Sequence, residues 1–157
     1  MIRLEPMDEA AFRASIETSI REYAAEKVEA GTWQEADSLE RATGEFNALL
    51  PDGRTTAGHE LRSIVNDAGE RVGMVWFTVE QPPIGRVVFI YDISVQPAHR
   101  RHGYAMGALD GVAAYARDHH CIGVLLHVFG SNSGARQLYQ RAGFVETDVL
   151  MLKRVDG

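Results

Sequence analysis

Residues 86–129 read strand, helix, strand, and that order commits the chain to a sheet containing a parallel pair. Arg86 to Val95 is almost wholly apolar or β-branched, the composition of a central strand covered on both faces, and Pro97 ends it because proline cannot donate to a ladder. Ala105, Leu109, Val112, Ala113 and Ala116 then recur at helical spacing, the stripe of a helix packed on a sheet. Ile122 to Phe129 reads as a second buried strand. A βαβ crossover makes its two strands parallel and its connection right-handed.

The rest of the chain surrounds this unit. Ile2 and Leu4 alternate with Arg3 and Glu5 before Pro6, a short half-buried strand, and Asp8 can cap a helix whose stripe is Phe12, Ile16, Ile20 and Tyr23, ending near Gly31. A second helix is expected from Thr32, where Thr32-x-x-Glu35 forms a capping box, with Ala36, Leu39, Thr43, Phe46 and Leu50 on its inner face until Pro51-Asp52-Gly53 breaks it. From Glu60 the period falls to two. Leu61–Val65 and Arg71–Glu80, joined by Asn66-Asp67-Ala68-Gly69, read as an antiparallel hairpin. A last helix is capped by Ser131 or Asn132, carries Ala135, Leu138, Tyr139 and Ala142 on one face, and ends on a left-handed Gly143. Val145 to Leu152 is expected to close the sheet.

A chain of 157 residues, 45% of them hydrophobic, fits one domain over residues 1–157. With 16 Lys plus Arg against 22 Asp plus Glu, its net charge of -6 argues against general nucleic-acid binding, which rests on phosphate neutralisation. Met1 to Pro6 lacks the charged-then-apolar order of an export signal, and no run of about 18 apolar residues occurs, so no membrane association is expected. Cys121 is the single cysteine, which suits a reducing compartment and makes the cytoplasm the default location. Charge is uneven. Residues 5–52 hold twelve acids against four bases, whereas residues 86–141 hold six bases, all Arg, against three acids.

His99-Arg100-Arg101-His102-Gly103 stands where the third helix begins, at the positive end of its macrodipole. Cations there repel the helix terminus unless an anion joins them, and Gly103 and Ala105 have no bulk to keep a phosphate from the backbone. The plainer reading is a solvated charge run with a helix-capping glycine. A Walker loop is absent, and a dinucleotide fingerprint fails because Ala105 replaces its second glycine and no Asp or Glu lies between Cys121 and Gln140. Asp92 is the one carboxylate inside an apolar strand, expensive to bury unless it faces a cleft or a partner such as an Arg. Glu80, ending the preceding strand, is a second candidate base or an exposed strand-end charge. His119-His120-Cys121 carries little weight as a metal site, since adjacent helical side chains diverge and the cluster lies about 24 Å along the helix from the cationic turn. Trp76, Phe77, Phe89 and Tyr91 suit a core, with one of them free to line a pocket.

The segment Arg100-Arg101-His102-Gly103-Tyr104-Ala105 resembles the Q/R-x-x-G-x-G/A signature of the GNAT family of N-acetyltransferases, and Asn132 through Phe144 resembles that family's N-x-x-A-x-x-L-Y-x-x-x-G-F motif. The two stand in family order with a helix and a strand between them. The resemblance implies an α/β fold: a mixed, mostly antiparallel sheet, a central splayed parallel strand pair, and helices on both faces. It implies acetyl-CoA as cosubstrate and no metal, with the pantetheine arm along Ile93, Ser94 and Val95, the pyrophosphate on Arg100, Arg101, His102, Gly103, Tyr104 and Ala105, and Asn132 bonding the pantetheine or capping its helix. Tyr139 would then protonate the departing thiolate rather than serve only as a core aromatic. No base position carries over from the family. Asp92 is the first candidate.

These readings converge on an acetyl-CoA-dependent N-acetyltransferase that moves an acetyl group directly to a primary amine of a small molecule or peptide in a ternary complex. The acid excess of the first two helices favours a cationic acceptor beside them. A CoA-binding sensor or interaction module without catalysis is the rival, against which Tyr139 and Asp92 argue; a nucleotide-binding regulator is the third reading. The acceptor, acyl length and base stay open, and a homodimer is compatible with the sequence.

Overall fold

The computed structural model describes residues 1–155. A sheet runs through the molecule in the order β1 (Ile2–Pro6), β2 (His59–Asn66), β3 (Arg71–Glu80), β4 (Val87–Val95) and β5 (Gly123–Leu126). The first three pairings are antiparallel, and β4 with β5 is parallel, as the crossover requires. The helices are α1 (Glu9–Glu29), α2 (Glu35–Leu49), α3 (Tyr104–Asp118) and α4 (Ser133–Arg141). No helix among the described residues is long and apolar enough to cross a membrane.

β3 is the spine, and the period-two alternation of its side chains divides the core. Met74 and Trp76 point to the face covered by α1 and α2, where they meet Phe12, Phe46 and Leu61. Val75 and Phe77 point the other way, onto Leu109, Val112 and Ala116 of α3. Trp76 and Phe77 are at most 1% exposed, and burying each contributes on the order of 3 kcal/mol. Gly73 pairs with Val95, and a Cβ there would collide with the Ser94 carbonyl, so only glycine lets β3 and β4 approach so closely.

Four expectations need correction. α2 starts at Glu35, not Thr32, and its N-cap Gln34 makes no side-chain bond, so the capping box does not form. The cause lies in α1: the Thr32 and Trp33 N–H groups donate to the Lys27 carbonyl at 3.0 and 3.3 Å, which keeps both residues wrapped on the end of α1. The inner face of α2 is accordingly Ser38, Ala42 and Phe46, and Leu39 is exposed. The second strand of the crossover is only Gly123–Leu126 and half-buried, with Ile122 exposed. Finally, residues 145–155 form no strand; the segment leaves α4 anchored by the Phe144 N–H to the Tyr139 carbonyl and by Arg136 to Glu146, and the sheet ends at β5. A four-residue edge cannot pair an eight-residue strand along its length.

Candidate active site

Pairing between β4 and β5 stops at Ile90 and Leu126, although β4 continues to Val95 against β3 alone. Residues 91–95 therefore present one backbone edge to a gap. A β-bulge sits at the same point: Trp76 pairs with Asp92 and Phe77 with Ile90, leaving Tyr91 as the extra residue. Its consequence is positional. Val88 and Ile90 face α3, and strict alternation would bury Asp92 there too, but the bulge turns Asp92 to the α1 side.

The gap opens into a cavity of about 370 Å³ between α1, α2, β4 and the start of α4. Such a volume holds a small ligand or the reactive end of a longer one. Asp92, Ile93, Asn132 and Tyr139 all line it. Trp76, Phe89 and Tyr91 line it as well, with Tyr91 stacked on Trp76 at 4.7 Å. The Trp76 indole N–H donates to His59 Nδ1 at 2.9 Å, which fixes the ring.

Among the described residues no Arg pairs with Asp92. The Ser19 hydroxyl of α1 donates to its carboxylate, and the Ile93 backbone bonds it too. Burial pushes the Asp92 carboxyl up from its ordinary range, nearby Glu22 adds to the rise, and the Ser19 and Ile93 bonds restrain it. Glu26, one helical turn beyond Glu22, is also raised, by burial first and then by Asp92, Glu22 and Glu29. Tyr139 is pushed up to about 12, by burial first and then by Asp92 and Glu26. The phenol thus keeps its proton, and the carboxylates around it hold theirs more tightly than exposed ones do.

Ser19 and Glu26 were missed in the sequence. Ser15 and Ser19 are buried inside the α1 stripe, their hydroxyls facing Arg71 and Asp92, and a serine pair at i, i+4 in register with Phe12 and Tyr23 was the available signal. Glu80 does not line the cavity; it accepts from Thr78 and Tyr91 at 2.7 and 3.4 Å.

At the mouth, the Lys27 ammonium lies over the rings of Tyr23, Trp33 and Phe129 at 5.6, 5.4 and 5.8 Å. Glu22, Glu26 and Glu45 line the same side. The aromatic faces are thus taken by Lys27, and the carboxylates beside it give the wall its negative charge.

Ser94, Val95 and the turn from Arg100 to Ala105 lie outside that cavity, where β4 runs out. The turn is shaped by a left-handed Arg101, φ 66°, and a left-handed Gly103, φ 76°, and the Arg100 guanidinium donates to the Val95 carbonyl at 3.1 Å. No side chain caps the N-terminus of α3, and the space around Gly103 is open. Tyr104 and Ala105 begin the helix, and His102 stacks on Tyr104. Asn132 is the N-cap of α4, its side chain accepting from the Ala135 N–H at 3.2 Å. The His119 ring bonds the Tyr115 carbonyl at 2.9 Å, and among the described residues no group of three or more His, Cys, Asp or Glu is placed to hold a metal.

The model of the acetyltransferase (GNAT) family matches residues 19–144. The uncharacterized N-acetyltransferase YycN of Bacillus subtilis is 38% identical over 154 residues, 98% of this chain and 99% of its own. YdgE of the same organism is 32% identical over 152 residues, 97% of each chain. The crystal structure of YycN matches with a TM-score of 0.93 and 37% identity over 100% of both chains. A predicted acetyltransferase of Clostridium acetobutylicum, solved with acetyl-CoA, shares the fold at a TM-score of 0.62 and 19% identity, over 98% of this chain and 96% of its own.

Proposed function

We propose that this chain, which belongs to the GNAT acetyltransferase family, moves an acetyl group from acetyl-CoA directly to a primary amine of a cationic small molecule or peptide, with donor and acceptor bound together. The observation that carries the reading is the coincidence, at one end of one cavity, of the splayed strand edge, a protonated phenol and two raised carboxylates.

The residues suit acetyl-CoA in two places. Residues 91–95 offer an unpaired strand edge, Ile93, Ser94 and Val95 among them, to which an extended amide-bearing chain can bond as a neighbouring strand would. Arg100 to Ala105 offer an uncapped helix N-terminus with guanidinium groups beside it, a cradle for phosphate. When bound there, acetyl-CoA supplies the acetyl group as a thioester. Asn132 stands at the cavity with its carbonyl committed to the α4 cap, leaving its amide N–H free to orient the donor.

An ammonium must shed a proton before its nitrogen can attack. Asp92, with Glu26 as the adjoining carboxylate, takes that proton; burial makes both better bases than exposed carboxylates. Tyr139 holds its own proton at Oη until a leaving thiolate needs it. The carboxylates of Glu22, Glu26 and Glu45 along the cavity wall support a cationic acceptor.

The test is thiol release from acetyl-CoA against a panel of mono- and diamines. The reading expects turnover favouring the more cationic amines, a preference weakened by salt, and a KM for them raised several-fold by Glu26→Gln. Acetyl-CoA binding without turnover on any amine would favour the non-catalytic sensor instead.

A further inference from the structure

Of the 16 Lys and Arg residues in this chain all but Lys27 and Lys153 are arginine, whose guanidinium stays protonated and cannot attack a thioester. The two lysines are placed very differently. Lys153 is exposed beyond α4, whereas Lys27 is half-buried and lines the same cavity as Glu26, Asp92 and Tyr139. Among the described residues it is the one Lys or Arg of that lining. A primary amine of the chain itself therefore stands inside a site read above as acting on primary amines.

The helix aims it. Side chains on an α-helix lean toward its N-terminus, so Lys27 points back along α1 to Tyr23, one turn before it, and its ammonium lies 5.6 Å from that ring. Ser19, one turn before Tyr23, holds the Asp92 carboxylate. The interval between those two levels is one helical pitch, about 5 Å, room for a single acetyl group between nitrogen and carboxylate. The faces of Tyr23, Trp33 and Phe129 hold the ammonium, and among the described residues it makes no ion pair and no hydrogen bond. Leaving the rings breaks no ionic bond.

Building on the acetyltransferase reading, we propose that Lys27 is itself an acceptor: the chain acetylates its own Lys27, in cis, when acetyl-CoA is bound and no free amine has entered. The Lys27 ammonium gives one proton to the Asp92 and Glu26 carboxylates, from which it passes to solvent. Its nitrogen then attacks the thioester carbon, and a C–N amide bond forms as the C–S bond breaks and the electron pair leaves with sulfur. Tyr139 protonates the thiolate, and the second proton shed by the nitrogen restores the phenol. The product is neutral, so Glu22, Glu26 and Glu45 lose the cation that stood beside them.

Incubating the full chain with excess acetyl-CoA and no added amine tests this, read by intact mass and peptide mapping. Lys27 should gain an acetyl group on the order of 100-fold faster than the exposed Lys153 and Met1 amines, which meet no catalytic group. Its half-time should not depend on protein concentration. Tyr139→Phe should slow the gain at Lys27 and leave Lys153 as it was. Lys27→Arg keeps a cation over the rings, and its mass should stay unchanged over the same time with the circular dichroism of the wild type. An unmodified Lys27 in a preparation that acetylates an added diamine overturns the proposal and leaves the proposed function standing, whereas transfer to neither sinks both. Equal marking of Lys27 and Lys153, or a gain at Lys27 indifferent to Tyr139→Phe, is uncatalysed chemistry and overturns it. So does a half-time that shortens with protein concentration, which means transfer between copies.

Discussion

Burial first, and then the Asp92 carboxylate, keep the Tyr139 phenol protonated up to about 12, and burial raises the proton affinity of Asp92 itself; these are the states that the proposed acyl transfer needs. Tyr139→Phe should lower kcat by on the order of 100-fold with the acetyl-CoA KM nearly unchanged, as steady-state kinetics would show; an unchanged kcat would remove the phenol from the chemistry. The rate of the wild type should fall as pH drops through the raised range of the Asp92–Glu26 pair, and Tyr139, pushed up to about 12, should cause no alkaline fall near neutral pH. For stability the sign is opposite to that of an ion-paired carboxylate. A raised native value means that the folded chain binds the proton more tightly than the unfolded one, so stability falls as pH rises from about 4 to the raised value, and the full cost stands above it. Asp92→Asn should therefore raise Tm at pH 7, with the gain fading toward pH 4, and slow acetyl transfer in the same protein. Asp92 was legible in the sequence as a misplaced charge in an apolar strand. Its partner was legible only as a buried position, because the Ser15 and Ser19 pair on the α1 stripe marks burial without saying what lies opposite.

The elements that carry the site differ in how plainly the sequence announces them. β4, α3 and α4 follow from period and punctuation, and Asn132 and Gly143 cap α4 as their residue types predict, Gly143 at φ 96°. The bulge at Tyr91 has no such signal. It depends on the register between β3 and β4, a tertiary property, yet it decides which face Asp92 joins. The late start of α2 has the same kind of cause, since the Lys27 carbonyl outcompetes the Thr32 capping box for backbone donors. Gly73 ties the two strands together behind the splay. Gly73→Ala must push β4 outward and should cost roughly 1–3 kcal/mol in denaturant unfolding, with weaker acetyl-CoA binding. Arg100→Ala removes both the cation proposed to meet the phosphates and the bond that ties the turn to Val95, so it should weaken acetyl-CoA binding and flatten the salt dependence; equal affinity would put the phosphates elsewhere.

At the scale of the whole molecule, the charge asymmetry read from the sequence acquires a geometry. The acid-rich helices α1 and α2 wall one side of the cavity, and the arginine turn stands at the far end of β4, so the anionic donor and cationic acceptor of the proposed reaction would each meet oppositely charged ground. The mixed sheet with its parallel pair was readable from residues 86–129, whereas the fate of residues 145–155 was not: their pattern says strand, and only the structure shows that no strand forms within the chain. The central claim is that this cavity and turn together take acetyl-CoA. Calorimetric titration of the protein with acetyl-CoA, with CoA and NAD in parallel, tests it most directly. The account predicts micromolar or tighter binding of both CoA species and none of NAD, and the absence of CoA binding would contradict it.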